Sequence, residues 1–222
     1  MYNHKEIEEK WQNYWEKNKT FKVNGTTVVN GTFTLGGTSA KTFTGAVTLN
    51  SGGVWNETGT SSYTFVSDLI NNATTFTSNS GNHTFTGASK TISGSTTTSI
   101  ANVVITGTYT NSGAITVGTA LSGTGSLTQS ATGVLKLGGT ASLTTPVFSA
   151  AGNTVNYTGT TQTAIVTTYS NLTLSGSNAK TFATAPTVNG VLSMEGSATM
   201  VITSGTLIYG SNATLQYNSG SN

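Results

Sequence analysis

The chain has 222 residues, of which 7% are charged, with 27 glycines, two prolines and no cysteine. So few charges exclude charge-driven disorder, and abundant threonine, valine and aromatic residues favour strands over flexible coil. The net charge of +2 is too small to point to nucleic acid, no apolar run reaches the roughly 18 residues of a spanning helix, and glycine keeps no collagen period.

Nine of the sixteen charges fall in the first 22 residues, the strongest boundary signal in the chain. That segment, residues 1–22, reads as an amphipathic helix: Ile7, Trp11, Tyr14 and Trp15 recur at helical spacing among Glu and Lys, and Asn3 with Glu6 can form a capping box. A helix of about 15 residues is marginal alone in water, so its Trp-rich side is expected to dock on and cap the β-structure that follows. The stretch Met1 to Trp15, continuing to Thr20-Phe21-Lys22, resembles the extreme N-terminus of bacterial leucyl-tRNA synthetases over about a tenth of the chain. Neither ATP-binding signature of that family follows Lys22, so no synthetase function carries over. The segment reads either as a chimeric fusion, the favoured reading, or as a chance match of the helical pattern.

Residues 23–222 read as one repeat domain of short strands, among them Thr32 to Leu35, Val47 to Leu49, Tyr63 to Phe65, Ile115 to Val117, Leu135 to Leu137, Leu172 to Leu174 and Leu192 to Met194. In each, apolar residues alternate with Thr or Ser, the period of a strand with one buried face. Between them lie Gly, Ser and Asn clusters with turn chemistry, Gly123-Thr124-Gly125 included, which lacks the rest of any phosphate-loop motif. Residues 34–50 and 173–189 match at ten of seventeen positions around a shared Ala-Lys-Thr-Phe, and such self-similarity marks a solenoid or propeller. No four-strand blade period is visible, which favours an all-β parallel solenoid of eight to ten coils, with an antiparallel β-sandwich as the alternative. Lys41 and Lys180 occupy equivalent positions in the matched segments, which predicts a structural place at a corner for both.

The domain resembles the repeat regions of bacterial cell-surface and secreted β-helix adhesins, in stretches such as residues 155–162 and 169–176. The resemblance implies a structural or adhesive role at the cell surface or outside the cell, with a glycan, a surface or a neighbouring subunit as partner. Self-association through the solenoid ends is the other interaction expected. No signal-peptide core is visible at the N-terminus.

Catalytic chemistry needs converging titratable groups, and Glu57, Asp68 and Glu195 stand apart in sequence with no arginine anywhere. A carbohydrate-active enzyme is therefore the third functional reading, and Glu57 and Asp68 are expected on the solvated surface. His83, the one histidine after the N-terminal segment, is expected at the surface too, without ligands for a metal or any cofactor. The pairs Thr32/Thr34, Thr42/Thr44, Thr75/Thr77 and Thr84/Thr86 each flank a phenylalanine and place both hydroxyls opposite the core. They are the candidate surface-binding residues, and a regular array of them would suit ice binding, the second functional reading.

Overall fold

A computed structural model of the protein describes residues 21–218, and in it the chain winds as a parallel β-solenoid. The helix predicted from Ile7, Trp11, Tyr14 and Trp15 lies outside the described residues. The first strand, Phe21–Val23, crosses the boundary set by composition at residues 22/23.

Three faces repeat in order. In the second coil they are Lys41–Phe43, Val47–Leu49 and Val54–Glu57, and in the third Tyr63–Phe65, Leu69–Asn71 and Thr75–Thr77. Each strand pairs with the equivalent strand 17 to 23 residues further on, and every pairing among the described residues is parallel. Ten such coils stacked at the ordinary strand spacing make a rod of roughly 45 Å. All-parallel pairing excludes the antiparallel sandwich.

Short strands form because alternation commits every second residue to the interior and glycine-rich corners break the run. At several corners the break is incomplete: Thr98–Ile105, Ala114–Gln129 and Thr140–Val147 turn without leaving strand conformation, and registers slip between Ile100 and Asn102 and between Gly123 and Ser126. Gly123-Thr124-Gly125, read from sequence as a turn, is thus a corner inside a long strand, with Gly123 at a φ of 127° that a side chain would strain. Elsewhere corners stack so tightly that a Cβ on Gly59 would sit 1.9 Å from the Gly37 carbonyl oxygen.

The interior is a set of ladders. On the first face Phe43, Phe65 and Phe85 stack with ring centres 5.6 and 5.1 Å apart. On the third, Ile115, Leu135, Val155, Leu172 and Leu192 follow one another in register and are all buried. Burying a Leu, Ile, Val or Phe contributes about 1.5–3 kcal/mol, and this repeated sum holds a fold whose local turns are weak.

Amides finish the corners. Asn71, Asn111, Gln129 and Asn153 are buried on the inner side. Asn71 Oδ1 accepts from the Ala73 N–H, Asn111 Oδ1 accepts from the Gly113 N–H, and Asn153 Nδ2 donates to the Gln129 and Ala150 carbonyls. Backbone groups that the turning chain strips from the sheet are satisfied in this way.

Candidate binding face and the buried charged cluster

The outward rows are the candidate binding surface. On the third face Ser99, Thr116, Lys136, Asn156, Thr173, Ser193 and Gln216 lie in register through seven consecutive coils, all at least partly exposed except the buried Ser193. Ser175 Oγ donates to Asn156 Oδ1 at 2.8 Å and Ser193 Oγ donates to Glu195 Oε1 at 3.0 Å, which fixes the direction of the acceptors along the row. The result is a stripe mostly of hydroxyls and amides about 29 Å long, with Lys136 within it and Glu195 at its margin.

The threonine pairs singled out from sequence divide between two faces. Thr32, Thr34, Thr75 and Thr77 are exposed on the third face, where Val54 and Asn56 of the intervening coil separate them. Thr42 and Thr84 belong to the first face, in register through Thr64. Thr44 and Thr86 follow them at the corner, with hydroxyls turned back onto the chain: Thr44 Oγ1 donates to the Val23 carbonyl at 2.9 Å and Thr86 Oγ1 to the Phe65 carbonyl at 3.5 Å. Each pair faces away from the core, but the eight residues do not make one array. Inspection of the sequence missed the long row because coil length varies, so its members lie 17 to 23 residues apart with no fixed motif. The signal available was the set of strands Leu135 to Leu137, Leu172 to Leu174 and Leu192 to Met194, whose central residues are members of it.

The titratable groups take different places from those expected. His83 and Glu57, both assigned to the surface by sequence, have side chains with no exposure and form an ion pair at 2.9 Å. The correction has a physical cause: register puts His83 between Tyr63 and Val103, and Glu57 in register with Leu35, so both occupy inward positions of the alternation. Glu57 Oε1 also accepts from Trp55 Nε1 at 2.7 Å, and Oε2 from the Asn79 N–H at 2.8 Å. His83 Nδ1 faces the Gly81 carbonyl at 3.0 Å. Since a carbonyl only accepts, Nδ1 carries a hydrogen, and Nε2 lies within hydrogen-bond distance of both Glu57 carboxyl oxygens, at 3.1 and 2.9 Å. Tyr63 stacks on the His83 ring with ring centres 5.0 Å apart. Asp68 is half-buried and lies elsewhere, accepting from the Thr91 N–H and hydroxyl at 2.8 and 3.0 Å.

Lys41 fills the same inward row as His83, and Lys180, in register with the buried Gln162, is buried too. Lys41 Nζ donates to Ser61 Oγ at 2.7 Å and to the Ser39 carbonyl at 3.0 Å, while Lys180 Nζ donates to the carbonyls of Gly159, Thr160 and Ser177. Both ammonium groups hold corner carbonyls, as the matched segments predicted. Burial pulls both below the ordinary lysine value, with Glu57 partly opposing that at Lys41.

A third polar cluster, Tyr157 and Tyr169, sits fully inside coils seven and eight. Their hydroxyls are 3.0 Å apart, Tyr157 accepts from the Ile165 N–H at 2.9 Å, and Tyr169 donates to the Ile165 carbonyl. Burial pushes Tyr157 up to about 12 and Tyr169 well above the ordinary tyrosine value.

Among the described residues no group of three or more His, Cys, Asp or Glu could hold a metal ion, and no helix is long and apolar enough to cross a membrane. No family model matches the chain, and no solved structure matches it.

Proposed function

We propose that this protein is a non-enzymatic structural and adhesive β-solenoid of a bacterial surface or secreted protein, and that the third face is its binding surface. The observation that carries the reading is the in-register polar row from Ser99 to Gln216, exposed or half-buried at every member but Ser193. Hydroxyl and amide groups repeated at about 4.8 Å suit a ligand that is itself extended and hydroxyl-rich, which favours a glycan strand or a polar polymer surface over a compact small molecule. The reactive side chains support a non-catalytic role. Glu57 and His83 are paired with each other inside the rod, both lysines hold backbone carbonyls, and Glu195 accepts from Ser193. General acid–base work needs such groups free and convergent on an open cleft.

Binding to an array of bacterial and host polysaccharides tests the proposal. Replacing Asn156 and Thr173 by Lys, on the outward side of the stripe, is expected to abolish glycan retention while leaving the circular dichroism spectrum unchanged. Retention equal to the parent's would move the binding surface elsewhere, and no retention of any polysaccharide would remove the adhesive reading.

Ice binding is the second reading, supported by the three threonines Thr42, Thr64 and Thr84 aligned on the first face. The row is short: Val104 and Ser122 follow in the next two coils. Thermal hysteresis that is lost on replacing Thr64 by Lys would establish it over the glycan reading.

A further inference from the structure

The tripeptide Val-Asn-Gly occurs three times, at residues 23–25, 29–31 and 188–190, and the fold gives the three copies different surroundings. In an Asn-Gly pair the side-chain amide is open to attack by the next backbone nitrogen, because glycine has no side chain to crowd the approach. All three asparagines are exposed, so solvent reaches each. We propose that Asn30–Gly31 is a self-modifying site, at which Asn30 converts to aspartate and isoaspartate with water as the only co-reactant. The site lies on the first two coils, away from the row that begins at Ser99, so the proposal stands apart from the glycan reading.

The nucleophile separates the copies first. In Asn189–Gly190 the Gly190 N–H donates to the Ser170 carbonyl at 2.8 Å, which ties it into the bonding between coils, and a Cβ on Gly210 would sit 2.8 Å from Asn189 Oδ1, so that corner is packed as well. The Gly25 and Gly31 N–H groups make no hydrogen bond among the described residues. The electrophile then separates these two. Asn50 Nδ2 donates to Asn30 Oδ1 at 2.7 Å, and Asn50 is itself anchored by its N–H on the Val29 carbonyl at 2.9 Å. That bond draws electrons from Asn30 Cγ and steadies the negative oxygen that forms on attack. Asn24 has no such donor among the described residues. In the reaction the Gly31 nitrogen gives its proton to a solvent base and bonds to Asn30 Cγ, the Cγ–Nδ2 bond breaks, and the departing nitrogen takes a proton from solvent and leaves as ammonia. The resulting five-membered imide is opened by water at either carbonyl. One water is consumed, one ammonia is released and nothing is oxidised. The isoaspartate form adds a methylene to the corner joining Thr27–Val29 to Thr32–Leu35, the strands that seat the first coil on the second.

Incubating the folded protein at mildly alkaline pH in oxygen-18 water, followed by tryptic digestion and mass spectrometry, reads the amide-to-acid mass change at each asparagine. Asn30 is expected to convert fastest, about twofold to tenfold ahead of Asn24, the worth of one hydrogen bond, with Asn189 unchanged over the same period. In urea the three copies should convert at a common rate, because the ranking belongs to the fold. Two variants test the cause. Asn50→Ala should bring Asn30 down to the rate of Asn24. Gly31→Ala should stop conversion at Asn30 with the circular dichroism spectrum unchanged, since a Cβ there meets nothing within 4 Å. Folded Asn30 no faster than Asn24 or Asn189, a ranking that persists in urea, or either variant converting at the parent's rate would each overturn the proposal.

Discussion

Replacing Glu57 by Gln removes one charge and almost no volume, and it is expected to be among the most damaging single changes in the rod. The carboxyl group accepts N–H groups from Trp55 and Asn79 and pairs with His83 Nε2. A carboxamide has one accepting oxygen, so its NH2 must face one of these donors while the buried His83 ring loses its carboxyl partner. Breaking a fully buried pair from one side costs about 3–5 kcal/mol. The rod itself supplies the rescue: Leu35 precedes Glu57 in its row and Val103 follows His83 in its own, so both positions accept apolar side chains in neighbouring coils. The double variant Glu57→Leu, His83→Val should therefore lose only about 1–3 kcal/mol, mainly for the unmatched Trp55 N–H, although it removes more interactions than the single one. Urea unfolding followed by far-ultraviolet circular dichroism reads both numbers against the parent. A Glu57→Gln variant within about 1 kcal/mol of the parent, or a double variant no better than the single, would refute the buried ion pair as drawn.

Phe65→Ala should cost about 3–5 kcal/mol in the same assay, since the ring lies buried between Phe43 and Phe85, whereas Phe33→Ala, at a half-buried position in the first coil, should cost clearly less. Equal losses would contradict the aromatic ladder. Alkali should unfold the protein in a defined window. Burial raises Tyr109 and Tyr157 to about 12, above the unfolded value near 10, so the stability they supply is complete below pH 10 and is lost as pH climbs through 12. The fully buried Tyr157, two units up, accounts for about 3 kcal/mol of that loss. Lys41 and Lys180 are lowered, so their burial penalty fades on raising pH toward 10.5, and stability should hold or rise before it falls. Ultraviolet tyrosinate absorbance that rises well before the circular dichroism transition would place these hydroxyls in solvent instead.

The fold was readable because alternation and turn residues are local properties, and a parallel solenoid asks little more of its chain. Val47–Leu49 and Tyr63–Phe65 were placed from three-residue patterns alone. What escaped was everything that depends on register. His83 and Glu57 are polar residues that sequence assigns to solvent, and only stacking on Tyr63 and behind Leu35 shows them to be inward. The Ser99 to Gln216 row escaped for the same reason, since coils of unequal length scatter its members along the chain. Lys41 and Lys180 were the exception: the repeat itself carried their equivalence, and two lysines at matching places in an internal repeat signalled a corner rather than a ligand.

Because strands lie across the rod, the hydrogen bonds between coils run along its length. A pull applied at the two ends therefore loads those bonds in tension, one coil interface at a time, instead of shearing many at once as it would in strands drawn lengthwise. Such a rod should yield in small successive steps of about 20 residues each, lengthening as it does so, rather than failing in a single event. A tether of this kind absorbs a sudden load by releasing chain coil by coil, and it can rewind from whichever coils remain folded.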